Sequence, residues 1–348
     1  MLQVLLLGAL PLGTNNGMAR VPPLGWSTWQ TCGDPSCGHD VCTEAEVLAA
    51  ADALISTGLA ARGFQFVVLD DCWVGANRSA ATGELTWDSA RFPSGIAQLA
   101  AAIHARNLSF GLYTSAGSTT CHSGPGSRYH YEKDAATFAS WGVDYVKLDW
   151  CGDIKSELLL GAAAHRNFSL ALNRTGRPIH LSVVAGYFFL GSAITHFANS
   201  WRFCEDHHDS WASTAEQLVC RADLVLARAA SAPGSWGDMD FATTGGAGCA
   251  TGAHCPGQTD DEYRTEFAVW ALVQSPLIVD TDVREMTPIM RALLLNDAVL
   301  GLHQSTATPP GRYLGGGAQC RAAAAGEFLF YVPLTFYLNP AHDLTRSP

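Results

Sequence analysis

Charge is scarce in this chain, and positive charge is scarcest. Charged residues make up 15% of its 348 residues, with 21 Lys and Arg against 32 Asp and Glu and a formal net charge of -11. No basic run and no glycine-rich phosphate loop occurs. Nucleic acid and anionic membrane surfaces are therefore disfavoured as partners. CxxC redox pairs, zinc-ribbon spacings and internal repeats are also missing. Beyond residue 17 no stretch is long and apolar enough to span a bilayer, so the mature chain is expected to be soluble.

What is present is core material and sulfur. Hydrophobic residues make up 48% of the chain, and its length suits one large domain with a small appendage. Eleven cysteines are many for a reducing compartment, and disulfides explain them better than metal ligation. Their odd number leaves at least one thiol unpaired within the chain. Asn-x-Ser/Thr triplets begin at Asn77, Asn107, Asn167 and Asn173, a pattern expected of a glycosylated chain. Residues 1–17 read as signal-peptide-like, with a short apolar run but no basic flank.

Apolar β-prone runs near residues 24–29, 66–70, 109–113, 145–149, 180–184, 200–202, 235–236 and 277–279 alternate with Ala- and Leu-rich helical patterns near 44–61, 96–106, 135–141, 157–172, 214–229, 262–274 and 288–295. Such alternation predicts βα units on a parallel sheet. About eight units predict a closed (β/α)8 TIM barrel. An open doubly wound sheet would call for a glycine-rich first turn, which is missing. The barrel is assigned to residues 18–304. Residues 305–348 read as a linker followed by a β-prone remnant.

Two of the apolar runs end in acid, Phe66-Val67-Val68-Leu69-Asp70-Asp71 and Tyr145-Val146-Lys147-Leu148-Asp149. Barrel enzymes place catalytic groups at the C-terminal ends of their strands. The plainer reading is that these acids cap the helices that follow. Two acid-tipped strands, with Lys147 two residues before Asp149, point to a polar, uncharged ligand such as a sugar. The ten Trp would provide stacking faces, although most are expected in the core.

The motifs Pro22-Pro23-Leu24-Gly25-Trp26, Leu69-Asp70-Asp71-Cys72-Trp73, Arg91-Phe92-Pro93-Ser94-Gly95, Gly111-Leu112-Tyr113-Thr114-Ser115, Lys147-Leu148-Asp149-Trp150-Cys151, Ala171-Leu172-Asn173-Arg174-Thr175-Gly176 and Trp201-Arg202 with Asp206 and Asp209-Ser210-Trp211 stand in order. Together they resemble glycoside hydrolase family 27, the α-galactosidases and α-N-acetylgalactosaminidases. The resemblance implies a retaining hydrolase of terminal α-linked galactosides, secreted or lysosomal/vacuolar, with a carbohydrate substrate, a possible homodimer, and no metal or other cofactor.

By the same resemblance Asp149 is the nucleophile and Asp206 the acid/base. Trp29, Asp70, Asp71, Tyr113, Lys147, Arg202 and Asp240 bind the sugar. Disulfides pair Cys32 with Cys72, Cys37 with Cys42 and Cys121 with Cys151. Lys147 is expected to keep Asp149 ionised, and the acids around Asp206 to raise its pKa. The run Cys204-Glu205-Asp206-His207-His208-Asp209 also admits a metal-ligand reading.

One stretch departs from the family pattern. Val183 stands where a cysteine is usual, and Val184 where a polar residue reads the sugar's C2 substituent. With the bulky Tyr187, this favours galactose over N-acetylgalactosamine. A related β-L-arabinopyranosidase and a catalytically silent galactose-binding barrel are the alternatives.

Overall fold

The computed structural model describes residues 16–29, 42–154, 158–184, 191–219, 231–246 and 257–307, with the pairs 312–313 and 330–331. Its strands are β1 (Leu24–Ser27), β2 (Phe64–Leu69), β3 (Ser109–Ser115), β4 (Tyr145–Asp149), β5 (His180–Val183), β6 (Ser200–Arg202), β7 (Trp236–Asp238) and β8 (Leu277–Val279). All pair in parallel, in the order β7-β6-β5-β4-β3-β2-β1-β8. A parallel bridge between Ala242 and Val279 joins the two ends, so eight strands curl into the predicted barrel.

The helices are α1 (Glu44–Ser56), α2 (Ile96–His104), α3 (Tyr131–Ser140), α4 (Leu158–Arg174), α5 (Trp211–Val219), α6 (Asp260–Val273), α7 (Pro288–Leu294) and α8 (Asp297–His303). The helical pattern at 44–61 breaks early, because Gly58 adopts φ +87, a left-handed conformation that ends a helix without Cβ strain. The predicted 214–229 helix begins three residues sooner, at Trp211, and its residues beyond 219 lie outside the described ones. Helix α8 was missed as a separate element; Asn296 caps it by accepting from the Ala298 and Val299 amides. Thr259 starts α6 with a capping box closed by Glu262. In the tail, Arg312–Tyr313 pairs antiparallel with Phe330–Tyr331.

Strand register decides what faces the site. Tyr113 lies opposite Lys147, Lys147 opposite Ser182, and Arg202 opposite Asp238. Gly25 lies opposite both Phe66 and Ile278. Side chains alternate along each strand. Asp70, Tyr113, Lys147, Asp149, Arg202, Asp238 and Asp280 therefore share the barrel's inner face. The intervening Val67, Leu69, Leu112, Val146 and Leu148 turn outward into the fully buried core under the helices. Each such side chain contributes roughly 1.5–3 kcal/mol. This apolar layer holds the polar one in register.

Candidate active site

Lys147 sits at the centre of the inner face. Its Nζ donates to Asp70 Oδ2 at 2.7 Å, and both side chains are buried. Three rings surround the ammonium: Phe241 at 4.5 Å, Trp29 at 4.9 Å and Tyr113 at 5.4 Å. Burial acts against its charge, but Asp70, Asp240 and Asp149 outweigh burial and raise the Lys147 pKa. For Asp70, burial dominates and raises the carboxyl despite Lys147. Asp70 Oδ1 accepts from the Asp71 amide at 2.9 Å. Asp71 Oδ2 accepts from the His122 amide at 2.8 Å, while its Oδ1 has no hydrogen-bond partner among the described residues.

Asp149 ends β4 and is only part-buried. Its Oδ1 accepts from the Trp150 amide at 2.8 Å and its Oδ2 from the Tyr113 hydroxyl at 2.9 Å. The direct hydrogen-bond partner of Lys147 is therefore Asp70, and Lys147 reaches Asp149 only through its longer-range field. Burial, then the charge of Asp149, pushes the Tyr113 pKa upward, so its hydroxyl remains a donor.

The Cys121–Cys151 disulfide is formed as the resemblance implied, and Cys121 Sγ lies 3.3 Å from Asp149 Oδ2. Gly117 lets the loop after β3 pass this close, since a Cβ there would collide with the Cys151 carbonyl. The other two expected pairings are corrected. Cys72 is bonded to Cys42. That excludes Cys32–Cys72 and Cys37–Cys42 alike, because Cys42 is buried beside Cys72 at the mouth and takes its sulfur. Cys32 and Cys37 lie outside the described residues, as do Cys220, Cys249, Cys255 and Cys320.

On the opposite rim, Arg202 is buried and donates from Nη1 to Asp206 Oδ1 at 2.7 Å and from Nη2 to the Cys204 carbonyl at 3.1 Å. Its Nη2 also lies 3.4 Å from Asp240 Oδ2. Asp206 itself is exposed. The expectation of a raised Asp206 pKa is overturned. Burial pulls it up, but the Arg202 charge and hydrogen bond prevail and hold the carboxyl below its ordinary value. The neighbouring acids in sequence do not set this group's environment; the cation four residues back does.

Asp240 adopts φ 86, a left-handed backbone that is costly for a side chain with a Cβ. Its amide donates to Asp238 Oδ1 at 2.8 Å and its Oδ2 accepts from the His207 amide at 2.8 Å. Asp238 is buried; desolvation, then the Asp240 charge, pushes its pKa up to about 7.

Trp29 is half-buried, its ring 6.0 Å from that of His122 in a stacked arrangement. Sequence reasoning missed His122, Phe241 and Asp280. The first could have been found as the residue after a mouth cysteine. Asp280 carries the same apolar-run-then-acid signal as Asp70 and Asp149. It is fully buried, and burial pushes its carboxyl well above the ordinary range.

Val184 is buried and directly follows β5; its amide donates to the Leu148 carbonyl at 2.9 Å, which sets it beside Asp149. Tyr187 lies outside the described residues. The metal reading of the Asp206 loop finds no support: His207 spends its ring on Phe241 and Thr214. Among the described residues a metal-like grouping occurs only at Cys121, Asp149 and Cys151, whose sulfurs are already joined. Asn77, Asn107, Asn167 and Asn173 are all exposed. Among the described residues no helix is long and apolar enough to cross a membrane. The two disulfides fit an extracellular protein.

Comparison with known proteins agrees with this geometry. The family model described as α-galactosidase A matches residues 21–305. An α-galactosidase of Cyamopsis tetragonoloba is 38% identical over 294 residues, covering 83% of this chain and 66% of the relative. α-Galactosidase A of Cellvibrio japonicus is 35% identical over 299 residues, covering 82% of this chain and 68% of the relative. The α-galactosidase of Saccharomyces cerevisiae, solved with raffinose, superposes with a TM-score of 0.75 at 29% identity, over 88% of this chain and 69% of that one. The chain thus spans about two thirds of the length of these sequence relatives. It belongs to the α-galactosidase A family of glycoside hydrolases.

Proposed function

We propose that this chain releases terminal α-linked galactose from carbohydrate substrates with retention of configuration. The observation that carries the reading is the contrast between two carboxyl groups at the barrel mouth. Asp149 is fixed at the tip of β4 by Tyr113 and the Trp150 amide. Asp206 stands on the exposed rim, held by one arm of Arg202.

In this reading Asp149 attacks the anomeric carbon. The bond to the leaving oxygen breaks, and Asp206 supplies that oxygen's proton. Water then displaces Asp149 and returns a proton to Asp206. Because Arg202 favours the charged form of Asp206, substrate must draw Arg202 toward Asp240 and the sugar before Asp206 can carry its proton.

Asp70 and Asp71 accept from sugar hydroxyls, with Asp71 Oδ1 uncommitted among the described residues. Arg202 and Asp240 bind the remaining hydroxyls, and Trp29 offers its face. Val184 beside Asp149 favours galactose over N-acetylgalactosamine. The yeast α-galactosidase solved with raffinose supports an oligosaccharide substrate. Secretion or delivery to a lysosome or vacuole, with glycans at the four exposed sequons, belongs to the same proposal.

The test is hydrolysis of aryl α-galactosides followed by proton NMR. The expected first product is α-galactose, and Asp149→Ala should abolish turnover and form a β-galactosyl azide when azide is added. β-Galactose as the first product, or an Asp149→Ala protein with wild-type rates, would overturn the assignment. Galactose binding without turnover by the folded wild type would place the chain among silent binding barrels.

A further inference from the structure

The residue after Asp206 is the most tightly held histidine at the mouth. His207 is fully buried between the Asp206 loop, helices α5 and α6, and the loop after β7. Its Nδ1 lies 2.8 Å from the Phe241 carbonyl and its Nε2 3.0 Å from Thr214 Oγ1. Thr214 Oγ1 lies 2.9 Å from Gln258 Oε1, and Gln258 Nε2 lies 2.7 Å from Glu266 Oε2. Thr243 and Thr244 donate to the two oxygens of Glu266 at 3.0 Å each.

Proton accounting along this chain is restrictive. A carbonyl only accepts, so Nδ1 must carry hydrogen toward Phe241. Three donors converge on Glu266, which is the pattern of an ionised carboxylate. Gln258 then turns its amide nitrogen to Glu266 and its oxygen to Thr214. The single proton of the Thr214 hydroxyl is consumed by that oxygen. Thr214 can therefore only accept from Nε2, and both ring nitrogens of His207 are donors.

We propose that His207 is an imidazolium, balanced by the Glu266 carboxylate through Thr214 and Gln258, and that this buried relay positions Asp206 and Asp240 for catalysis. The coupling to the site is direct. The His207 amide holds Asp240 Oδ2, and its ring holds the carbonyl of Phe241, whose own ring faces the Lys147 ammonium at 4.5 Å. Asp206 is the preceding residue, so its backbone is anchored on the same support.

The charges facing the relay are consistent with a cation there. Asp240 approaches from the β7 loop, and Glu266 belongs to α6. Asp209 is engaged by Tyr263 of α6 at 2.6 Å, and Asp280 lies at the end of β8. The Arg202 cation is already spent on Asp206 and Asp240. Burial, the largest influence, leaves the Glu266 carboxyl above its ordinary value, and the His207 charge and the Gln258 hydrogen bond offset part of that rise. Its assignment as a charged group rests on the three converging donors. A buried carboxylate is kept charged only by such pairing.

The kinetic arm of the test rests on the glycosidase reading; the spectroscopic arm does not. Histidine labelled with nitrogen-15 should show both His207 ring nitrogens protonated near neutral pH. Glu266→Gln should turn that ring neutral, which also identifies its signal among the twelve histidines. For catalysis, Thr214→Val and His207→Gln should slow an unactivated α-galactosyl disaccharide at least tenfold. An aryl galactoside whose leaving group needs no protonation should slow less than about threefold, since general acid catalysis is worth ~100-fold or more. A neutral His207 ring in the wild type overturns the proposal, as does equal slowing of both substrates. Should His207→Gln fail to fold, Thr214→Val and the wild-type spectrum still decide. Should the wild type cleave neither substrate, the glycosidase reading fails, and the spectrum alone settles the charge on His207.

Discussion

Lys147 and Asp70 meet at 2.7 Å inside the barrel, both almost wholly withdrawn from solvent. The strand register that sets Tyr113 opposite Lys147 brings the β2 tip within reach of the β4 lysine. The cation thus organises the Asp70 side of the mouth and leaves Asp149 to Tyr113 and the Trp150 amide.

Removing one member of such a pair strands the other. Lys147→Met should lower the unfolding free energy by roughly 3–5 kcal/mol, the usual cost of an unpaired buried charge. Asp70→Asn/Lys147→Met should recover part of that loss. Urea titration of the single and double variants measures both, and strictly additive losses would show that the two side chains are not coupled.

Tyr113→Phe removes the hydroxyl that donates to Asp149 Oδ2 but keeps the buried ring. A hydrogen bond to a charged group is worth about 1.5–3 kcal/mol, so kcat should fall roughly tenfold to hundredfold. The melting temperature should hardly move. Steady-state rates at wild-type level would mean that the hydroxyl does not orient the carboxylate during the reaction.

Stability should decline from mildly acidic to neutral pH. The Asp238 carboxyl has an ordinary pKa of 3.8 and is pushed up to about 7 by burial and the Asp240 charge. Between those values the folded chain keeps a proton that the unfolded chain has released, so stability falls as pH rises through this window and then levels off. Asp70 and Asp71, also raised, act in the same sense. Asp206 acts oppositely, but it is exposed and screened. Asp238→Asn, which still accepts from the Asp240 amide, should flatten the melting temperature measured from pH 4 to 8. Parallel curves for variant and wild type would remove Asp238 as the source.

The corrected disulfide can be read directly. Mass spectrometry of a non-reduced digest should recover a peptide pair joining Cys42 to Cys72. Cys42→Ser should cost about 2–5 kcal/mol. A Cys32–Cys72 peptide in its place would restore the pairing implied by resemblance.

The barrel was legible because its signal is local. A strand such as Tyr145–Asp149 announces itself by β-prone apolar residues and an acid at its tip, and so does Phe64–Leu69 with Asp70. The same signal stands at Leu277-Ile278-Val279-Asp280, yet sequence reasoning stopped at Val279, because β8 is only three residues long and so short a run gives its terminal acid little weight. Partnerships between distant residues were less legible. Sequence proximity suggested that acids govern Asp206, whereas the inward turn of β6 gives it to Arg202. Cysteine spacing alone admits many connectivities, and proximity at the mouth selects Cys42 for Cys72.

The Cys121–Cys151 bond, with one sulfur 3.3 Å from the Asp149 carboxylate, makes the maturation history of each molecule visible in its activity. A chain that emerges in a reducing environment presents two thiols there, one of them two residues beyond Asp149. Its carboxylate then competes with a potential thiolate for the same Tyr113 donor. On the proposed role of Asp149 as nucleophile, a mechanism-based label there would count correctly oxidised molecules rather than total protein. For any preparation, the ratio of the two would report how well the producing cell handled sulfur chemistry.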